Sequence, residues 1–398
     1  MDRSGKIIVK AASGVEELGN ADRPMKTNSL FCLYSCTKAL AGIAVMQLVE
    51  QGKADLDAPV GDVLPEVGNA TFSDGRKPKR AITLRHLLTH TSGLGYTIFH
   101  KDLLAWSLQN GKVNECDGHF DAFMSPLIAE PGEDWNYGIG IDWAGEYLHR
   151  VTGLTLGEYS KKNIFEPLGA DDIEYHLLPE NKKRLVAMHA RGEDGKLSVI
   201  DHLPMTYEAS FDSGGGGTIG SIESYLKCVH IFMNEGVGAN GARILKAETV
   251  KAMLQDQLGP VREIMGSDPL ERTIEGAVPV CTLDTSQVQI QLSLTRSNAF
   301  AGNKLPAGSD SGPTQRLGDE GRSLDPPGIT FQITFDPLPT GRKAGSVNWA
   351  GLPNNYWQVD PESGISTMLC SQSLPFADPA AMVPWLECET EVYKAVAQ

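Results

Sequence analysis

The chain has 398 residues, with 35 Lys and Arg against 50 Asp and Glu, a formal net charge of −15. So acidic a balance argues against a nucleic-acid or anionic-membrane binder, which needs a basic face to displace counterions. With 41% apolar residues, 42 Gly and 23 Pro, the chain reads as globular and loop-rich, of two to three domains or one large interrupted one.

Residues 1–25 carry scattered charges and no apolar stretch, so no secretory signal is read there. The longest mainly apolar stretch, residues 39–49 with Gln47 inside it, is too short to cross a bilayer. Seven cysteines (32, 36, 116, 228, 281, 370, 388) lie scattered without metal-like spacing, which suits free thiols in a reducing, cytoplasmic compartment. Residues 6–11 and 30–34 read as short strands, the second running directly into a helix that starts at Ser35. Its apolar positions 40, 43, 44, 45, 48 and 49 form one stripe, and Gly52 stops it. Thr83 caps a short helix over 84–88. Further helices are read over 141–151, with Gly153 as the stop, and over 155–165, ended by Pro167 and Gly169.

Residues 221–235 and 247–255 look helical, whereas 258–330 is irregular apart from an alternating run at 288–292. Strands follow at 329–335, 345–349, 356–359 and 365–370, then a final helix at 379–395. The pattern predicts an α/β (α+β) fold. Both termini (1–60 and 325–398) would form the sheet part, 61–257 a mainly helical part, and 258–324 a long irregular insertion.

Three motifs could carry chemistry. In Ser35-Cys36-Thr37-Lys38 the i, i+3 spacing on a helix brings the Lys38 amine to the Ser35 hydroxyl, beside the free N–H groups of a helix start. That places a nucleophile, a base and half of an oxyanion site in one turn. The bland alternative is an N-cap serine and a solvated lysine. Ser224 and Lys227 share the spacing, but there the serine falls inside a predicted helix. Tyr137, just before the 141–151 helix, could accept a proton beside a lysine ammonium, or simply pack as a loop aromatic. The third motif, residues 345–354, is a strand ending in small residues, whose Leu352 N–H could be the second oxyanion donor.

Taken together and in this order, the motifs resemble those of the serine hydrolases related to class C β-lactamases and penicillin-binding proteins. These carry Ser-x-x-Lys, then Tyr-x-Asn or a variant, then Lys-Thr-Gly or a variant. Linking phrases agree, among them Leu87 to Leu94, Glu130-Pro131-Gly132 and Ile164 to Gly169. Residues 137–145 and 349–354 look most like the branch of fungal transesterases that acylate polyketide products. The resemblance implies a β-lactamase/transpeptidase-like antiparallel sheet flanked by helices. It also implies Ser35 as nucleophile, Lys38 and Tyr137 as the proton-transfer pair, and the Ser35 and Leu352 N–H groups as the oxyanion hole.

Ile139 and Trp349 stand where that pattern has Asn and Lys, so an apolar wall is expected to favour a neutral ester or thioester over a charged peptide or penicillin. Gly351 and Asn354 are expected to complete the pocket. Expected partners are a small-molecule acyl donor and acceptor, with an acyl-carrier domain or acyl-CoA as a candidate donor. No cofactor or metal is expected. Gly215, Gly217 and Gly220 fit a dinucleotide fingerprint only on paper, because no apolar strand precedes them. His86 and His90 lack the glutamate of a metalloprotease pair. The function expected is serine-dependent acyl transfer to an alcohol, an amine or water; a lactamase or D-peptidase, and a non-catalytic binding protein, are the alternatives.

Overall fold

Strand β1 (Phe31–Cys32) delivers the chain into helix α1 (Thr37–Glu50) in the computed structural model, which describes residues 1–112, 115–201, 209–259, 261, 280–281, 290–291 and 328–397. Every residue of α1 from Thr37 to Leu48 is buried, so the helix is surrounded by protein rather than lying on a surface. Between them a 3₁₀ turn, Tyr34–Cys36, carries Ser35. The α-helix predicted from Ser35 starts two residues later, because the first hydrogen bonds close tighter rings, Cys36 N–H to the Leu33 carbonyl and Thr37 N–H to the Tyr34 carbonyl.

Short helices α2 (Pro65–Gly68) and α3 (Leu84–Leu88) follow. The Thr83 hydroxyl accepts the His86 N–H while His86 Nδ1 accepts the Thr83 N–H, a reciprocal cap that accounts for His86. Then come α4 (Lys101–Gln109) and α5 (Gly140–Thr152), the latter closed by Gly153 at φ +74°. The helix predicted over 155–165 is divided: α6 (Leu156–Ser160) is capped by Thr155 and Glu158, a π turn spans Lys161–Phe165, and α7 (Glu166–Leu168) completes it.

Strands β2 (Ile173–Glu174), β3 (Met188–Arg191), β4 (Leu197–Ile200) and β5 (Ile219–Gly220) come next. They are followed by α8 (Ile222–Val229) and α9 (Ala247–Met253). Strands β6 (Val280–Cys281) and β7 (Ile290–Gln291) pair with each other, and apart from residues 258, 259 and 261 the rest of the expected insertion lies outside the described residues. Strands β8 (Gln332–Ile333), β9 (Val347–Gly351), β10 (Asn355–Asp360) and β11 (Ile365–Leu369) form an antiparallel sheet in the order β11-β10-β9-β8. Strand β12 (Ser373–Leu374) and helix α10 (Pro379–Val396) end the chain.

The sheet alternates as a two-sided layer should. Trp357 and Val359 of β10 face the main core with α1, α5 and α8, whereas Tyr356 packs on Trp385 of α10. Helix α10 is tied down by the buried Arg342–Glu389 pair and by the Tyr393 hydroxyl, which donates to Asp360 at 2.8 Å. No strand forms at residues 6–11; instead Met1 extends the sheet edge, its ammonium donating to the Ser366 carbonyl and its own carbonyl accepting the Ser366 N–H. Among the described residues no helix is long and apolar enough to cross a membrane.

Two contacts place the site. Strand β1 pairs with β5, and the Thr37 and Thr218 hydroxyls meet at 2.6 Å, which fixes the 214–217 glycine segment against the first turn of α1. At Gly42, inside α1, an added methyl would fall on the side chain of buried Thr330, whose own φ is +71°. Gly42→Ala therefore lowers stability by about 1–3 kcal/mol despite alanine's better helix propensity, read as a lower urea midpoint with unchanged m-value.

Candidate active site

The turn before α1 and the loop before α5 bring the three sequence-predicted reactive side chains together. Tyr137 Oη lies 2.8 Å from Ser35 Oγ, and Lys38 Nζ lies 3.2 Å from the same oxygen. Ser35 is thus held between a phenol and an amine, both within proton-transfer distance. Lys38 is 1% exposed, so its charge is removed from water. Three acceptors replace the lost solvation: Ser35 Oγ, the Gly215 carbonyl at 2.8 Å and Tyr96 Oη at 3.4 Å. The amine also sits 4.7 Å from the Tyr137 ring centre and 5.4 Å from that of Tyr96.

Tyr96 and Gly215 lead to a residue that sequence reasoning missed. Asp142, buried in the first turn of α5, accepts the Tyr96 hydroxyl at 3.4 Å, the Ser213 hydroxyl at 2.6 Å and the Gly215 N–H at 2.9 Å. Burial holds its carboxyl above the usual aspartate range, and the Lys38 charge and these hydrogen bonds offset that only in part. The glycine segment is required here: a Cβ at Gly215 would lie 2.5 Å from Asp142 Oδ2 and 2.6 Å from Tyr96 Oη. Of the Gly215, Gly217 and Gly220 pattern only Gly215 touches Lys38; Gly217 is packed against Ser213 and Tyr175, and Gly220 against Ile173 and Leu33.

His90 supplies the other support. In the left-handed region at φ +59°, its carbonyl accepts the Asn136 N–H at 2.8 Å and its Nδ1 accepts the Gly138 N–H at 3.3 Å. Tyr137 is therefore gripped on both sides by one residue. Burial, reinforced by the nearby Lys38 charge, holds the His90 imidazole well below its ordinary range, so it stays neutral and Nδ1 stays an acceptor. Rings of His90, Tyr96, Phe99 and Trp349 surround the Tyr137 ring at centroid distances of 4.7–5.6 Å, and Trp135 stacks on it at 6.1 Å.

The expected pocket is corrected in part. Trp349 of β9 reaches the site, but Ile139 is fully buried in the main core as the N-cap of α5 and presents no surface to a ligand. Asn354 is also fully buried. Its amide donates to the Ser373 and Pro375 carbonyls, and its oxygen accepts from Tyr356 and the Asp378 N–H, so it anchors the chain around β12. Gly351 lets β9 approach the Leu33 carbonyl, where any side chain would clash, and so sets Leu352 next to the serine turn.

The Ser224 and Lys227 decoy is dismantled: Ser224 Oγ accepts the Asp172 N–H, and Lys227 donates to the Gly169 carbonyl. Among the described residues no group of three or more His, Cys, Asp or Glu side chains is placed to hold a metal ion. Removing the His90 grip should be visible in the reactivity of Ser35. An alkyl fluorophosphonate labels the wild-type Ser35 peptide, leaves Ser35→Ala unlabelled, and reacts with His90→Ala about 10²-fold more slowly because Tyr137 is displaced. Equal rates for wild type and His90→Ala would refute the positioning role.

Comparison with known proteins agrees with this arrangement. The family model described as beta-lactamase matches residues 3–268. ML-236A carboxylate methylbutanoyltransferase of Penicillium citrinum is 30% identical over 94% of this chain and 82% of its own length. A lovastatin esterase of Penicillium rubens is 30% identical over 65% of this chain and 68% of its own. Among solved structures, unliganded simvastatin synthase of Aspergillus terreus superposes with a TM-score of 0.75 at 26% identity, covering 99% of this chain and 92% of that one. The chain belongs to the beta-lactamase family, with a β-lactamase/penicillin-binding-protein-like α/β fold, and is similar within it to fungal acyltransferases and esterases.

Proposed function

We propose that this chain is a serine-dependent acyl-transfer enzyme of specialised metabolism that works through an acyl-enzyme on Ser35. The observation that carries the proposal is the contact of Ser35 Oγ with both Tyr137 Oη and Lys38 Nζ. With Tyr137 as phenolate, the Ser35 proton passes to Tyr137 Oη as Ser35 Oγ bonds to the acyl carbonyl carbon. The carbonyl oxygen becomes an oxyanion, held by the N–H groups of Ser35 and Leu352. Collapse breaks the bond to the leaving alcohol or thiol, which takes the proton from Tyr137. An acceptor hydroxyl, amine or water then gives its proton to Tyr137 and attacks the ester. The second collapse returns Ser35 as the alcohol and Tyr137 as phenolate.

Trp349 supports a neutral ester or thioester donor, since its indole stands beside Tyr137 where the lactamase pattern has a lysine for a substrate carboxylate. The names of the relatives, a methylbutanoyltransferase and a lovastatin esterase, support a branched short acyl group on a polyketide-type alcohol. An acyl-carrier domain or acyl-CoA fits as donor.

Incubation with p-nitrophenyl butyrate, followed by intact mass, yields a butyryl adduct on the Ser35 peptide of the wild type and none on Ser35→Ala. Tyr137→Phe lowers turnover by about 10²–10⁴-fold. Adding alcohols diverts product from butyrate to new esters if the enzyme is a transferase and leaves the acid yield unchanged if it is an esterase. No adduct and no turnover, or nitrocefin hydrolysis at an ordinary enzymatic rate, would overturn the assignment.

A further inference from the structure

Counting hydrogens around Lys38 assigns a role to Asp142. A Gly215 N–H can only donate, so Asp142 Oδ1 accepts it. The Ser213 hydroxyl accepts the Gly216 N–H at 3.0 Å, so its single hydrogen is directed to Asp142. Tyr96 Oη lies 3.4 Å from both Lys38 Nζ and Asp142 Oδ2, so it can accept from the amine while donating its hydrogen to the carboxylate. Three hydrogens enter this carboxyl group and none leaves it, the pattern of an ionised carboxylate. Lys38 Nζ has three polar neighbours, Ser35 Oγ, Tyr96 Oη and the Gly215 carbonyl, and the three hydrogens of an ammonium can serve all of them.

The structure assigns Asp142 as the positioning residue that keeps Lys38 an ammonium at Ser35, acting through the Tyr96 hydroxyl and the Gly215 peptide, and so leaves Tyr137 as the group that takes the serine proton. The two routes are parallel. Gly215 offers its N–H to Asp142 and its carbonyl to Lys38, so one peptide unit lies head to tail between the charges. Tyr96 repeats the arrangement with a phenol. Opposite charges in a low-dielectric interior stabilise each other only while the geometry between them is kept, and Gly215 and Tyr96 keep it.

Glu115, Tyr96, Tyr175, His90 and Tyr137 are the other titratable groups that face this pair. Glu115 is occupied by Thr97, whose N–H and hydroxyl it accepts at 2.9 and 2.6 Å. Tyr96 and Tyr175 are buried phenols held far above their ordinary range. His90 is neutral, Cys116 faces Tyr96 at the outer end, and Tyr137 completes the circle.

The inference rests on the acyl-enzyme reading for its catalytic meaning, but one of its readouts needs no turnover. In ¹⁵N-lysine-labelled protein the Lys38 Nζ resonance, assigned by its absence in Lys38→Met, reports the ammonium directly. Asp142→Asn keeps the shape and removes the charge, and Tyr96→Phe cuts one route while leaving the charge.

The wild type keeps the ammonium signature to about one pH unit higher than Asp142→Asn, with Tyr96→Phe between them. The alkaline limb of kcat/KM for p-nitrophenyl butyrate moves down in the same order. A merely structural Asp142 would change the melting temperature and leave the limb in place. Identical pH behaviour of wild type and Asp142→Asn, or a shift of the acid limb instead, overturns the inference; if Asp142→Asn does not fold, an unmoved Tyr96→Phe profile does so. An ammonium signature that follows Asp142 in a protein forming no ester adduct would instead sink the esterase reading and leave this assignment standing.

Discussion

The interaction on which the rest of the molecule depends is the burial of one amine. Lys38 lies at 1% exposure inside helix α1, whose residues from Thr37 to Leu48 are all buried, and an ammonium there is tolerable only if each hydrogen finds an acceptor. Those acceptors come from three separate segments: the turn at Ser35, the loop at Tyr96 and the glycine segment at Gly215. Meeting that demand requires β1 to pair with β5, Thr37 to meet Thr218, and α5 to present Asp142. The fold around the site can be understood as the set of contacts that lets a charge remain where apolar packing would exclude it.

The architecture follows the same logic on a larger scale. Helix α1 is apolar enough to be enclosed on every side, so elements from both halves of the sequence cover it. The sheet covers one side with Trp357 and Val359, and the helices α5 and α8 cover others. Ser35 is not at a regular helix terminus. The left-handed backbone at Tyr34 turns the chain sharply enough to present the hydroxyl between Tyr137 and Lys38, and local strain of this kind is found where function demands a conformation that propensity would not choose.

Much of this was legible in the residues. The Ser35–Lys38 spacing, the strand leading into it, the helices closed by Gly153 and Gly169, and the four sheet strands were all carried by short-range patterns that chain geometry obeys. The supports were not legible. Asp142 looks like any acid in a helix's first turn, Tyr96 like a loop aromatic, and His90 like part of a turn, since each acquires meaning only from partners 40 or more residues away.

Ile139 and Asn354 show the opposite failure. Both sit inside motif phrases that suggest a pocket role, but burial makes one of them core and hydrogen bonding makes the other an anchor. Residues 6–11 had the β-branched composition of a strand and formed none, because Met1 and Asp2 already occupy the edge of β11.

The aromatic ring of neighbours around Tyr137 has an optical consequence. Two indoles, Trp349 at 5.6 Å and Trp135 at 6.1 Å, flank the phenol that adjoins Ser35. Attaching an acyl chain to Ser35 changes both the polarity and the quenching around them. On the proposed acyl-enzyme route, intrinsic tryptophan emission becomes a label-free clock: its change times loading of the serine, and its return times release to whichever acceptor arrives.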